Sequence, residues 1–289
     1  MNELELIERI RSRTDKAAYL TRGIGDDCAI LTPPPGADLL VTTDLFLEGR
    51  HFRRGTMPPS GLGYRALARA MSDIAAMGGT PLAFFTSIVV PEWARGHWLH
   101  DFYKGMRTVG KPAGAVLAGG DTTAGEKFVC DVIVLGHAPH GKSLRRDTAK
   151  PGDAIYVSGV LGVEAARTRL RFEPRLALGR YLRENCIATA CMDLSDGLAL
   201  DLHRMCVESG VAAELRGPMP VAKKANVEQA LTHGEDYELL FTAGARRRVP
   251  ATFNGIPLTR IGTIVRGKAG AVKLDGEPLA PRGWDPFST

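Results

Sequence analysis

The sequence predicts a two-domain chain of the α/β (α+β) class, and three observations carry that prediction. Strand-like apolar runs alternate with amphipathic helical stretches from end to end, the pattern of helices packed on sheets. At 289 residues the chain is long enough for about two cores. A polar stretch containing Pro and Gly, HGKSLRRDTAKPGD, interrupts the alternation near the middle, and the domains are expected at 1–140 and 141–289.

Each element has its own reason. Residues 3–13 have helical spacing, with Leu4, Ile7 and Ile10 on one side. CAIL (28–31) and LLVTT (39–43) read as strands joined by the turn-rich PPPGAD. GYRALARAMSDIAAMGG is a helix: Leu67, Ala70, Met71 and Ile74 share a face, and Gly78 supplies the stop. PLAFFTSIVVP is a strand, and WLHDFYKGMRTV (98–109) is a second helix that turns Leu99, Phe102, Tyr103 and Met106 inward. GAVLAGGD and KFVCDVIVLG follow as strands. Beyond the polar break, DAIYVSG reads as a strand and VEAARTRL and RLALGRYLREN as helices. DGLALDLHRMCVES is a further amphipathic helix with Leu198, Leu202 and Met205 on a stripe. YELLFTA and LTRIGTIV are strands, and GAVKLDGEPL forms a hairpin.

Composition excludes several classes. The net charge is +5 with a pI near 9.0, yet the basic residues form no stripe. Arg246, Arg247 and Arg248 read as solvated surface, and Arg145 with Arg146 as surface or as contacts to an anionic small molecule. Neither cluster has interleaved aromatics, so nucleic acid is not an expected partner. Five cysteines form no C-x-x-C pair, which argues against a disulfide framework or a zinc cluster and fits a reducing cytoplasm. The N-terminus, MNELELIERIRSR, is charged and amphipathic, unlike a signal peptide. No apolar stretch approaches the ~20 residues needed to span a bilayer, so no membrane partner is expected.

Residues 136–143, GHAPHGKS, satisfy the phosphate-binding pattern G-x-x-x-x-G-K-[ST] after a strand-like run. Such a loop works because a helix begins at its lysine and aims backbone N–H groups at the phosphates. Here Pro151 and Gly152 follow Lys142 too soon for a normal helix, and Pro139 removes one amide. The match is expected to be a coincidence, with a P-loop NTPase as a rival reading.

A second pattern is stronger. Short Gly/Ser/Thr-plus-acid groups recur where apolar segments end or helices begin: GIGDDC, VTTD, MSD, AGGD, DLSDG and HGEDYE. Each alone reads as a turn or helix cap. Convergence of several would be costly unless cations offset the repulsion. Hard oxygen donors without paired cysteines or H-x-x-x-H spacing point to Mg2+ and a polyphosphate, with adjacent glycines letting backbone approach the ligand.

The ordered set GIGDDCAIL, TTDLFLEGRHF, SDIAAMGGTP, GGDTT, KPGDAIYVSG, DLSDGL and GEDYELLF resembles the thiamine-monophosphate kinase family of the AIR-synthase-like superfamily. The resemblance runs from about residue 5 to Phe287. It implies two α/β domains with the cleft between them and homodimerisation through the N-terminal domain. The implied reaction is Mg2+-dependent transfer of the ATP γ-phosphoryl group to thiamine monophosphate. Carried over by motif, Asp27, Thr42, Thr43, Asp44, Asp73, Asp121 and Asp193 resemble metal ligands, with Asp196 a further candidate. Gly120, Asp121, Arg146 and Ser195 match nucleotide contacts, as does Tyr103, whose place on an apolar helix face also suits core packing. His51, Glu235 and Trp284 match the substrate side; without the motif, His51 would read as a turn residue and Trp284 as a core or lid aromatic.

The chain departs from the family between Gly162 and Pro174, where a helical segment is trimmed. Sister enzymes of the superfamily are rivals. Selenophosphate synthetase expects a reactive cysteine near the N-terminus, where Cys28 reads as packed, and the hydrogenase-maturation relative expects a C-terminal cysteine. A Mg2+–nucleotide sensor without catalysis is the non-enzymatic alternative.

Overall fold

The computed structural model describes residues 3–24, 28–163 and 172–285. The candidate ligand Asp27, its neighbour Asp26, most of VEAARTRL and most of the trimmed segment lie outside the described residues. The backbone divides into two units that change over between Gly141 and Lys142, with Ala75–Gly78, the end of a helix and its turn, grouped with the second.

The first unit opens with α1 (Glu3–Arg11) and the short antiparallel pair β1 (Leu20–Arg22) and β2 (Ile30–Leu31). Its core is a four-stranded sheet of β3 (Ala37–Leu47), β4 (Thr80–Val90), β5 (Val116–Ala124) and β6 (Val129–Pro139) in the order β3-β6-β4-β5. β4 and β5 are parallel, so a crossover must join them, and α3 (His97–Gly110) is that crossover. α2 (Pro59–Ala76) precedes β4.

Period-two alternation sorts the sheet's faces. Phe46, Phe84, Ile88, Val132 and Val134 are buried, as are Leu67 and Met71 of α2 and Leu99, Phe102 and Met106 of α3. On the other face of β3, Leu39, Val41 and Leu45 are 51%, 59% and 48% exposed. α2 and α3 meet backbone to backbone. A methyl at Gly63 would lie 1.8 Å from the Phe102 carbonyl oxygen, and one at Gly105 2.0 Å from that of Ser60. Only glycine fits either position.

The second unit follows the order β7 (Ala154–Ser158), α4 (Leu176–Glu184), β8 (Ala188–Asp193), α5 (Leu198–Glu208), β9 (Ala212–Leu215) and α6 (Val227–Thr232). β10 (Leu239–Ala243), β11 (Thr252–Phe253), β12 (Ile256–Val265), β13 (Val272–Leu274) and β14 (Glu277–Pro278) complete it. The sheet order is β14-β13-β9-β12-β7-β10-β8, with β11 paired to β12. Both faces are buried. Ile155, Val157, Met192 and Leu240 pack with Leu198, Leu202 and Met205 of α5. Cys191, Leu239 and Phe241 pack instead with Leu178 and Leu182 of α4. Central strands buried on both sides explain why Leu239, Leu240 and Phe241 are three apolar residues in a row with no alternation. Among the described residues, no helix is long and apolar enough to cross a membrane.

Candidate functional site

In the first unit, alternation along β3 turns Thr42, Asp44 and Phe46 towards α2. Two strand residues advance about 6.7 Å and four helix residues about 6 Å, so positions i and i+2 of β3 can meet positions i and i+4 of α2. They do. Arg69 Nη2 donates to Asp44 Oδ1 at 3.0 Å, and the Thr42 hydroxyl donates to Asp73 Oδ2. The Arg69–Asp44 pair is largely buried, with side chains 11% and 22% exposed.

Thr43 points to the opposite face, where its hydroxyl donates to Asp131 Oδ1 at 3.2 Å. Asp121 lies on the register row Leu45–Asp131–Ser87–Asp121, one residue out of phase with Asp44. The structure therefore gathers Thr42, Asp44 and Asp73, and puts Thr43 and Asp121 on the other set of rows. Among the described residues no three His, Cys, Asp or Glu side chains close into a metal-binding group.

Tyr103 is half-buried, its hydroxyl 3.1 Å from Thr86 Oγ1, and desolvation pushes its phenol pKa up. It lines a cavity of about 720 Å3 with Thr86, Gly119, Gly120 and Thr122, and a second of about 320 Å3 rimmed by Arg9, Arg13, Lys104 and Arg107. Both volumes suit a small ligand. A methyl at Gly120 would lie 2.1 Å from the Thr86 carbonyl oxygen, so this strand approach requires glycine. Cys28, expected to be packed, is exposed and sits on the wall of the larger cavity. It precedes β2, a strand of two residues and too short to cover it.

His51 stacks on Phe46 with ring centroids 5.9 Å apart and accepts the Leu47 N–H at Nδ1 (2.9 Å). Accepting at Nδ1 puts the proton of the neutral ring on Nε2. Burial and the nearby Arg69 guanidinium push its pKa down to about 4, so the ring is neutral at physiological pH.

In the second unit, the loop after β8 is a junction. Asp193 is its buried start. The Glu235 N–H donates to the Ser195 carbonyl at 2.8 Å, and the Trp284 N–H donates to the Asp196 carbonyl at 2.8 Å. Ser195, Asp196, Glu235 and Trp284, separated by up to ninety residues, are thus held by backbone bonds. Trp284 keeps its side chain 40% exposed.

The GEDYE segment is strained and pinned. Glu235 and Tyr237 have φ of 66° and 50°, which costs a non-glycine residue of order 1 kcal/mol. The Asp236 carboxylate accepts the Gly162 and Val163 amides at 2.9 Å each. Glu238, 1% exposed, takes the Arg175 guanidinium in a two-pronged pair and the Ser158 hydroxyl at 2.6 Å.

Arg146 is exposed, while its neighbour Arg145 is engaged by Asp147 through Nε at 2.8 Å. Residues 142–150 form no helix, so the lysine of GHAPHGKS has no helix N-terminus behind it.

Sequence reading missed Arg69, Asp131, Asp201, Arg204, Arg175 and Glu238. Three of them carried a weak signal. Arg69 precedes Asp73 by one helical turn, Glu238 is the third acid of HGEDYE, and Asp201 falls within the apolar stripe of Leu198, Leu202 and Met205, where a carboxylate needs partners.

Residues 25–138 match the family model described as AIR synthase related protein, N-terminal domain. The chain is 34% identical over 325 aligned positions to the thiamine-monophosphate kinase of Escherichia coli (strain K12), covering 99% of this chain and 98% of the relative. A crystal structure of the thiamine-monophosphate kinase from Stenotrophomonas maltophilia K279a superposes with a TM-score of 0.85 at 36% identity, covering 97% of this chain and 98% of the other. The structure described as AaThiL complexed with AMPPCP and TMP superposes with a TM-score of 0.79 at 28% identity, covering 98% and 96%.

Proposed function

The chain belongs to the thiamine-monophosphate kinase family, and on that premise we propose that it transfers the γ-phosphoryl group of ATP to the phosphate of thiamine monophosphate, giving thiamine diphosphate and ADP. The observation that carries the reading is that residues matching the family's motifs, dispersed in sequence, are bonded to one another within each unit: Thr42 with Asp73, Ser195 with Glu235, and Asp196 with Trp284.

A phosphate monoester has its second pKa near ~6, so the acceptor is already an anion at neutral pH and needs no general base. The chain's task is to bring two anions together in line. Mg2+ fits the donors present. Asp44, Asp73 and Thr42 offer hard oxygens, and this ion uses one or two carboxylates and completes its shell with water and substrate phosphates. Thr43, Asp121, Asp193, Asp196 and Asp27 are further candidates of the same oxygen chemistry. When bound, the ion neutralises phosphate charge and aligns the oxygens.

The remaining roles fall to side chains. Arg146 adds positive charge for phosphates, Ser195 and Gly120 bring small groups and backbone to the nucleotide, and Tyr103 with its cavity accommodates the base. His51 offers an N–H from Nε2 to the acceptor, Glu235 a carboxylate to its cationic part, and Trp284 an indole face for a heteroaromatic cation.

Two copies are proposed to meet at the open face of the first unit's sheet, where the apolar side chains of Leu39, Val41 and Leu45 are exposed. Five free thiols fit a cytoplasmic setting.

The test mixes the purified chain with ATP, MgCl2 and thiamine monophosphate. Thiamine diphosphate and ADP are expected in equal amounts, with unphosphorylated thiamine a poor acceptor. ADP release without thiamine diphosphate would overturn the reading.

A further inference from the structure

Asp201 is fully buried, in the first turn of α5. Its Oδ2 accepts three consecutive backbone amides, Ser195 at 3.1 Å, Asp196 at 3.0 Å and Gly197 at 3.2 Å. Its Oδ1 accepts Arg204 Nη1 at 3.0 Å, and the same nitrogen reaches the Asp196 carboxylate. The bend that lets three amides converge runs through Gly197, at φ 115°, where a methyl would lie 2.9 Å from the Thr232 backbone.

Peptide geometry turns this cluster into a device. In a planar trans peptide the N–H and C=O point in opposite directions. The Asp196 amide belongs to the same plane as the Ser195 carbonyl, and the Gly197 amide to the same plane as the Asp196 carbonyl. With both N–H groups drawn in to Asp201, both carbonyls must face out. Those are the carbonyls that receive the Glu235 and Trp284 amides, each at 2.8 Å. One carboxylate therefore sets the two planes on which both substrate-side loops hang.

We propose that Asp201, with Arg204 as its clamp, is a positioning residue for the phosphoryl acceptor. It touches neither substrate but fixes the backbone seats of Glu235 and Trp284, and it fixes Ser195 and Asp196 along with them. The inference rests on the reading of Glu235 and Trp284 as substrate-side residues.

Asp201→Asn keeps the size and one acceptor oxygen, but sets an amide N–H against the guanidinium of Arg204. The full chain, labelled with fluorotryptophan, gives three 19F resonances, from Trp93, Trp98 and Trp284. D201N is expected to shift or broaden the Trp284 resonance while leaving Trp93 and Trp98, which pack in the first unit's aromatic cluster, in place. In the folded variant kcat/KM for thiamine monophosphate is expected to fall at least about tenfold, mostly through KM.

An unmoved Trp284 resonance, or a kcat/KM within twofold of the parent, would overturn the proposal, because a purely structural carboxylate changes only the melting temperature. If D201N does not fold, Arg204→Gln, at a site 39% exposed, carries the same test with an expected threefold effect, and no change there overturns the idea equally. Glu235→Gln is measured alongside. An unchanged acceptor KM in that variant refutes the substrate-side reading, whereas the Trp284 resonance judges Asp201 in either case.

Discussion

The two units hold their candidate residues by different means. In the first, Thr42, Asp44 and Asp73 sit on a regular strand and a regular helix, bonded side chain to side chain with Arg69. In the second, Ser195, Asp196, Glu235 and Trp284 sit on irregular segments, joined through main-chain amides and carbonyls and steadied by buried carboxylates that touch no candidate substrate. The difference separates chemistry from stability in one unit and couples them in the other. In the strand-and-helix set a substitution removes a functional group and leaves its frame. In the loop set the frame is itself made of polar bonds.

The sharpest test of that contrast is Asp44→Asn. Turnover should fall by about a thousandfold or more, the several kcal/mol that charge stabilisation supplies to such a transfer. The melting temperature should drop only a few degrees from the weakened Arg69 pair. A large loss of stability with activity retained would recast this set as structural.

Next is Glu238→Ala, which leaves the Arg175 guanidinium buried beside an empty place. Removing one partner of such a pair costs about 3–5 kcal/mol, roughly 10 °C in melting temperature. Scanning calorimetry would read it, and a drop below about 2 °C would show that the GEDYE frame does not depend on this pair.

A smaller effect concerns His51, whose pKa is lowered to about 4 from an unfolded value near ~6.5. The unfolded chain binds the extra proton first. The contribution of His51 to stability is thus complete above about pH 6.5 and is lost as pH falls towards 4. NMR titration should place its midpoint near 4, and His51→Gln should flatten the acid slope of stability. A midpoint above 6 would show that Nδ1 takes a proton readily and is not held as the acceptor of the Leu47 amide.

The smallest effect is expected from Lys142→Ala. With no helix behind it, this lysine should be worth less than a twofold change in kcat/KM, and a large loss would revive the P-loop reading.

The contrast also explains what was legible in the sequence. β3, α2, β4, α3, β6 and α5 are long and strongly periodic, so their type showed in the pattern alone. β8, β9 and α6 were missed because each spans only four to six residues and owes its existence to pairing or packing with distant segments. The site divides the same way. Motifs named the residues that carry oxygen or charge, whereas the groups that orient them were signalled only weakly: Arg69 by its one-turn spacing from Asp73, Asp201 by its place in an apolar stripe, and Glu238 as the third acid of HGEDYE. Register was equally out of reach: TTD and GGD look alike on the page, yet Asp44 and Asp121 fall on different rows of one sheet.

The crossing of α2 and α3 at Gly63 and Gly105 has a mechanical consequence. With no side chain between the helices at that point, neither can slide or roll without driving its backbone into the other. Asp73 rides on one of these helices and Tyr103 on the other, two residues from the crossing. The spacing between the carboxylate and the tyrosine's cavity is therefore set at this crossing, where glycine hydrogens alone separate the two backbones.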